Sequence, residues 1–207
     1  MSVMYVIFFS KTVKVICCRL YLVNVLNSWS KKRSVANRYN ITSKSYDEQY
    51  AEEQTAKYRA AQKALQQSPF SVVLDVGCGS GLFFSHIANN AQVVVGVDFS
   101  RQLLHKAKVN AKQFCNIHLV QADADHLPFK KASFDTIFAF TMLQNMPAPK
   151  KTLFEFKQQN SIAGKLVVTG LKKVFTLPSF LDLFEANKLD LSEFIDDQNL
   201  NCYIAII

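Results

Sequence analysis

The chain has 207 residues, 49% of them apolar and 19% charged, which allows one sizeable core and excludes a disordered polar chain. Its formal net charge of +8 points to a polyanionic partner only until the charge is located: residues 1–46 hold eight Lys or Arg and no acid, and the remainder is balanced. The five cysteines are odd in number and form no C-x-x-C pair, which excludes a disulfide framework and a closely spaced zinc site and fits a reducing cytoplasm.

The basic arm comes first. Val3 to Phe9 is apolar, but Lys11, Lys14 and Arg19 interrupt every window long enough to span a bilayer. The basic residues follow the first apolar run, the reverse of a secretory signal. Residues 1–37 therefore read as an extension that the domain at 38–207 can dispense with. A second reading is contact with a membrane surface or a partner through the mixed aromatic and basic residues of 1–34. Beyond it, Tyr46 to Tyr50 leads into Ala51 to Gln67, rich in strong helix formers, and Ser68-Pro69 stops that helix.

The next segment carries the most chemistry. Val72 to Val76 reads as a strand covered on both faces, and it runs directly into Gly77-Cys78-Gly79-Ser80-Gly81. Those glycines permit a tight turn and close approach of backbone to a ligand. Leu82 to Ala88 has helix-compatible spacing, so the loop is expected to deliver free N–H groups at a helix start. Cys78 reads as a small loop residue, with a catalytic thiol as the lesser alternative. The spacing is D-x-G-x-G-x-G from Asp75; a dinucleotide fingerprint needs its third glycine at position 82, which is Leu. A carboxylate at Asp75 also repels pyrophosphate and suits a cationic ligand.

Gln92 to Asp98 is a second apolar strand ending in an acid, roughly 20 residues past the glycine loop, where a carboxylate can accept both ribose hydroxyls. The alternative is that Asp98 caps the helix from Ser100 to Lys112, a role open to Ser100 itself. Asn116 to Asp123 reads as the third strand and Thr136 to Phe140 as the fourth. Pro149 to Gln159 reads as a helix, Gly164 to Gly170 as strand five and Leu177 to Asn187 as a helix with proline in its first turn. Leu189 to Ile195 and Asn201 to Ile207 read as the last two strands, joined by the turn at Asp196 to Asn199. The four histidines show no metal-ligand spacing, and no metal is expected.

The ordered set Asp75–Gly81, Asp98, Asp123 and Leu127-Pro128-Phe129 followed by Ser133-Phe134-Asp135 resembles class I S-adenosylmethionine (SAM) dependent methyltransferases of the type 11 group, over Tyr39 to Ile207. The resemblance implies an α/β fold: a Rossmann-like, doubly wound, seven-stranded sheet, mostly parallel with an antiparallel last strand and helices on both faces. It implies SAM as cofactor, with Asp75 at the methionine end and Gly77, Cys78, Gly79 and Gly81 forming the loop. Asp98 would then hold the ribose, Phe99 would lie beside adenine, and Asp123 and Ala124 would read the adenine edge, with Asp125 a solvated turn residue. Tyr46 or Tyr50 would form a lid, and Thr141, Gln144 and Asn145, with Tyr46, would line the acceptor side.

Where many relatives have histidines, this chain has Gln144 and Asn145, which do not titrate. Ser161-Ile162-Ala163-Gly164 replaces the family's basic glycine turn. The catalytic residue is left unknown. The reading is in-line methyl transfer to an unidentified acceptor, a small molecule ahead of tRNA or protein, the latter two with a partner subunit and none with DNA. A nicotinamide enzyme and a non-catalytic methyltransferase-like binding protein stay open.

Overall fold

In a computed structural model of the chain, residues 27–41, 46–65 and 69–207 are described, with side chains left out over 46–50. The acceptor-side expectation for Tyr46, the lid expectation for Tyr50 and most of the arm, residues 1–26, lie outside what is described. A helix over residues 27–41 (α1) precedes α2, Tyr46–Leu65. The alternating part follows as β1 (Phe70–Val76), α3 (Phe84–Ile87), β2 (Ala91–Asp98), α4 (Arg101–Ala111), β3 (Ile117–Gln121) and β4 (Phe134–Ala139). Then come α5 (Pro149–Gln159), β5 (Asn160–Leu171), α6 (Leu177–Glu185), β6 (Glu193–Ile195) and β7 (Cys202–Ile206).

The strands form one seven-stranded sheet in the order β3-β2-β1-β4-β5-β7-β6, with β7 antiparallel to both β5 and β6. This is the doubly wound architecture the motifs imply. Strand alternation sorts the core into two layers. On one face Val73, Val94, Phe138 and Val167 pack with Tyr58 and Ala61 of α2, Phe84 of α3 and Ala107 of α4. On the other, Leu74, Ile137 and Val168 pack with Leu153 and Phe156 of α5 and Phe180 and Phe184 of α6. The strand order reverses between β1 and β4, which places the crevice outside their carboxyl ends.

Three elements differ from the sequence expectation. β5 begins at Asn160 rather than Gly164, so Ser161 to Ala163 belong to the strand, and Asn160 pairs with Phe134. The helix after the glycine loop is one turn long and tightens into a 3₁₀ turn at Ala88–Asn90, where Asn116 Nδ2 donates to the carbonyls of Ala88 and Ala91. Phe83, Phe84, Ile87 and Ala88 are all buried, so this segment is wedged into the core rather than laid along it. β6 begins at Glu193 because the preceding residues finish α6. Lys188 turns to φ 51°, and the N–H groups of Lys188 and Leu189 donate to the carbonyls of Glu185 and Phe184, a Schellman closure. The expected domain boundary at residue 38 falls inside α1.

Candidate active site

The crevice is lined on its sheet side by Gly77 and Gly79 after β1, Asp98 and Phe99 after β2, and Asp123 and Ala124 after β3. Its other wall is the turn after β4, with Thr141, Met142 and Asn145, and its roof is α1, through Lys32, Val35, Ala36 and Tyr39. The expected residues Gly77, Gly79, Asp98, Phe99, Asp123 and Ala124 are thus brought together from three loops. The expected residues Asp75, Cys78 and Gly81 do not line this crevice.

The glycine loop is held by its own backbone. Gly77 and Cys78 both donate to Val97 O, and Gly81 donates to Cys78 O. These N–H groups are therefore spent on anchoring the loop to β2, and the expectation of a free N–H cradle is corrected for them. At Gly77, φ is 76° and a Cβ would lie 2.8 Å from Met142 Cβ. At Gly79, φ is 57° and a Cβ would make only ordinary van der Waals contact, with Leu103 Cδ1 at 3.9 Å, so the positive φ is what calls for glycine there. Cys78 is buried, and that burial pushes its thiol pKa well up, which suits the small-residue reading and not a nucleophile.

Two carboxylates flank this loop, and among the described residues neither forms an ion pair. Asp75 is 2% exposed, and its Oδ2 accepts no hydrogen bond among the described residues. Burial first, and the neighbouring Asp98 second, raise its pKa to about 8, so its carboxyl is mostly protonated at neutral pH. It faces a small rear pocket between α2 and the loop, shared with Gly77, Gly79 and Phe140. Asp98 Oδ2 accepts from Gly79 N at 2.9 Å and Oδ1 from Ser100 N at 2.7 Å. Burial raises the Asp98 pKa against the pull of the Ser100, Gly79 and Phe99 N–H groups. Ser100 Oγ caps α4 by accepting from Leu103 N, so the capping role does not fall to Asp98.

Asp123 is held differently. Lys32 Nζ of α1 donates to its two oxygens at 2.7 and 2.8 Å and pairs with Asp125 Oδ2 at 2.6 Å. Burial acts to raise the Asp123 pKa, but the hydrogen bond and charge of Lys32, with the hydrogen bonds from Asp125 N and His126, together outweigh it and the net shift is downward. Asp125, expected as a solvated turn residue, is 5% exposed and accepts from Thr152 Oγ1 of α5, because the turn folds inward to meet Lys32. The Ala124 N–H carries no partner among the described residues.

On the acceptor side, Thr141 sits at φ 55°, a strained conformation for a β-branched residue. Its N–H donates to Thr169 Oγ1, which pins the turn to β5. Its Oγ1 meets Gln54 and Lys57 Nζ of α2 at 3.2 and 3.1 Å. Lys57 is fully buried and pairs with Glu53 Oε1 at 2.7 Å. Asn145 Nδ2 donates to the Tyr39 phenol oxygen, and Arg38 donates to Asn145 Oδ1. Gln144 Nε2 donates to Thr141 O, while its Oε1 is buried with no partner among the described residues.

Sequence reasoning missed Lys32, Glu53, Gln54 and Lys57. Glu53 and Lys57 at i, i+4 read as an ordinary surface pair. The available signal was the stripe Gln54, Lys57, Tyr58 and Ala61 at helical spacing, which marks the buried face and puts two polar residues on it.

The sequence profile of a methyltransferase domain matches residues 68–201. The tRNA U34 carboxymethyltransferase of Pseudoalteromonas atlantica is 34% identical over 119 residues, 56% of this chain and 36% of that protein. The demethylmenaquinone methyltransferase of Renibacterium salmoninarum is 33% identical over 147 residues, 70% of this chain and 57% of that protein. The chain thus spans only 36% and 57% of the length of these two curated relatives. A solved SAM-dependent methyltransferase from Aquifex aeolicus shares the fold with a TM-score of 0.60 and 18% identity, over 70% of this chain and 87% of that one. No helix among the described residues is long and apolar enough to cross a membrane.

Proposed function

The chain belongs to the methyltransferase-domain family, and from that premise we propose that it transfers a methyl group from SAM to an acceptor by direct in-line displacement. The observation that carries the reading is the pair of carboxylates without cations, Asp75 and Asp98, on either side of a glycine loop with bare backbone at Gly79. A ligand that is cationic at one end and a ribose at the middle fits that arrangement; a pyrophosphate does not. When bound, SAM supplies a methyl group on a sulfonium that is already activated for displacement.

The protein's own residues then bind, orient and exclude water. An ionised carboxyl offers about four lone-pair sites, so Asp98 can receive ribose hydroxyls while still holding Gly79 and Ser100. Asp123 can likewise take the adenine amino group beside Lys32, and the Ala124 N–H is placed to donate to a ring nitrogen. Phe99, just past the end of β2, lines the same crevice, with its ring beside Trp29 of α1. Asp75, with its orphaned Oδ2, is the counter-charge for the methionine ammonium at the rear of the loop. Thr141, Gln144 and Asn145 hold the turn where donor and acceptor meet.

For the acceptor we favour a small molecule, because the charge beyond residue 46 is balanced and the pocket beside Thr141 is a recess between elements of one domain. Methylation of tRNA or protein is the alternative reading. Calorimetric titration of the full chain with SAM, S-adenosylhomocysteine and NAD tests the cofactor assignment. Micromolar binding of the first two and none of NAD is expected; NAD binding, or none of the three, contradicts it.

A further inference from the structure

A second, lateral pocket opens beside the cofactor crevice and shares Tyr39, Thr141 and Asn145 with it. It lies between α2, the turn after β4, the end of β5 and the segment joining β6 to β7. Three of its features stand apart from the cofactor site. Among the described residues Glu53 is its one acidic lining residue, 32% exposed, with one oxygen on Lys57. Lys57 is fully buried and is fixed at its other side by Thr141 Oγ1, the strained residue at the junction of the two pockets. Gln144, also in the lining, keeps a buried carbonyl oxygen with no donor among the described residues.

A buried orphan acceptor costs free energy unless a ligand satisfies it. The lining therefore carries two side chains with acceptor oxygens, Gln144 and Glu53, beside the basic Arg38, Lys172 and Lys173, near the place where the methyl group would be delivered. Such a pair complements a nucleophile that carries its own proton. A nucleophile without one would leave the Gln144 carbonyl unpaired and Glu53 with Lys57 alone. Lys57 is not available as a donor to the ligand, because its ammonium is spent on Glu53 and Thr141. Its effect is to hold the carboxylate toward the pocket and tie its position to the turn after β4.

We propose that the lateral pocket is the acceptor site, that it selects a hydroxyl or amine nucleophile through Glu53 and Gln144 Oε1, and that Glu53 takes the proton the nucleophile loses. The inference rests on the SAM-dependent reading above and names the acceptor class for that same site. In the step, the nucleophile's lone pair forms the bond to the methyl carbon. The carbon–sulfur bond breaks with its electron pair going to sulfur, and the nucleophile's proton passes to the Glu53 carboxylate. A hydroxyl becomes strongly acidic only as its oxygen is alkylated. A lysine-held carboxylate, a poor base toward a ground-state hydroxyl, is therefore adequate at that moment.

The test uses the full chain with S-adenosylhomocysteine bound and matched probes that differ in the proton: phenol against anisole, and benzylamine against benzyltrimethylammonium. Saturation-transfer NMR reads binding, and calorimetry of S-adenosylhomocysteine is run on the same samples. Phenol or benzylamine is expected to bind, at least fivefold more tightly than its methylated partner. E53Q and Q144L are each expected to weaken that binding at least fivefold while moving S-adenosylhomocysteine affinity less than twofold. Should E53Q lose its fold by leaving Lys57 unpaired, the double variant E53Q/K57M removes both charges and carries the same expectation. Methylated probes binding as well as their parents, neither parent binding, or indifference to E53Q with S-adenosylhomocysteine still held would overturn the acceptor assignment and leave the cofactor reading standing. Loss of S-adenosylhomocysteine binding in the wild-type chain overturns both.

Discussion

The two sides of the crevice treat negative charge in opposite ways. On the α1–α2 side the carboxylates are neutralised from within: Asp123 and Asp125 by Lys32, and Glu53 by the buried Lys57. Beside the glycine loop, Asp75 is buried next to the Asp98 charge, with backbone N–H groups on Asp98 and, among the described residues, an unpartnered oxygen on Asp75. Their pKa values move up, and that of Asp123 moves down. Internal ion pairs fix structure whether or not a ligand is present. A pair of unneutralised acids is a cost in the empty protein, and a cationic ligand can relieve it.

The contrast yields predictions of decreasing size. The largest concerns Asp75. Its pKa lies at about 8 in the folded protein against an ordinary 3.8, so between those values the folded chain binds more protons than the unfolded one. Stability in the absence of ligand therefore falls as pH rises from about 4 to about 8, by up to about 1.4 kcal/mol per pH unit from this group, and levels off above. Urea unfolding of Asp75→Asn across that range is expected to remove this part of the slope and leave the variant the more stable at pH 8. An unchanged slope would mean Asp75 is ionised throughout.

Next comes the paired side. Glu53→Ala leaves Lys57 buried with Thr141 and Gln54 but no counter-charge. A loss of about 3 kcal/mol is expected in the same measurement. Asp98→Ala is expected to cost about 1.5–3 kcal/mol of SAM affinity, from lost charge-assisted bonds to ribose and a loosened Gly79, read by calorimetry. The smallest effect belongs to Ser100→Ala, which deletes the cap on α4 at about 1 kcal/mol of stability while leaving the Asp98 carboxylate in place. If Ser100→Ala lowers SAM affinity as much as Asp98→Ala, the carboxylate's work is structural.

How much of this was legible follows the same division. A ligand held by backbone approach imposes glycine where φ is positive and acids at strand ends, and such marks are local. Gly77, Gly79 and Asp98 could therefore be read from spacing, and the strands from their apolar runs, while Asp123 and the sheet architecture came with the family resemblance. Side chains that meet across long separations leave no local mark. Lys32 reaches Asp123 from 91 residues away, Lys57 reaches Thr141 from 84, and Arg38 reaches Asn145 from 107. The positive φ at Thr141 is illegible for a related reason: a β-branched residue gives no hint of it, and the hydrogen bonds to Thr169, Gln54 and Lys57 impose it from outside.

If the glycine-loop side is built to receive a cation, SAM binding should release a proton from Asp75. SAM is titrated into the full chain at pH 7 by calorimetry in two buffers of different ionisation enthalpy, for the wild type and for Asp75→Asn. The account predicts that the wild type releases most of one proton as Asp75 ionises beside the ligand, and that the variant releases almost none. SAM binding without proton release, or with equal release in both proteins, would contradict it.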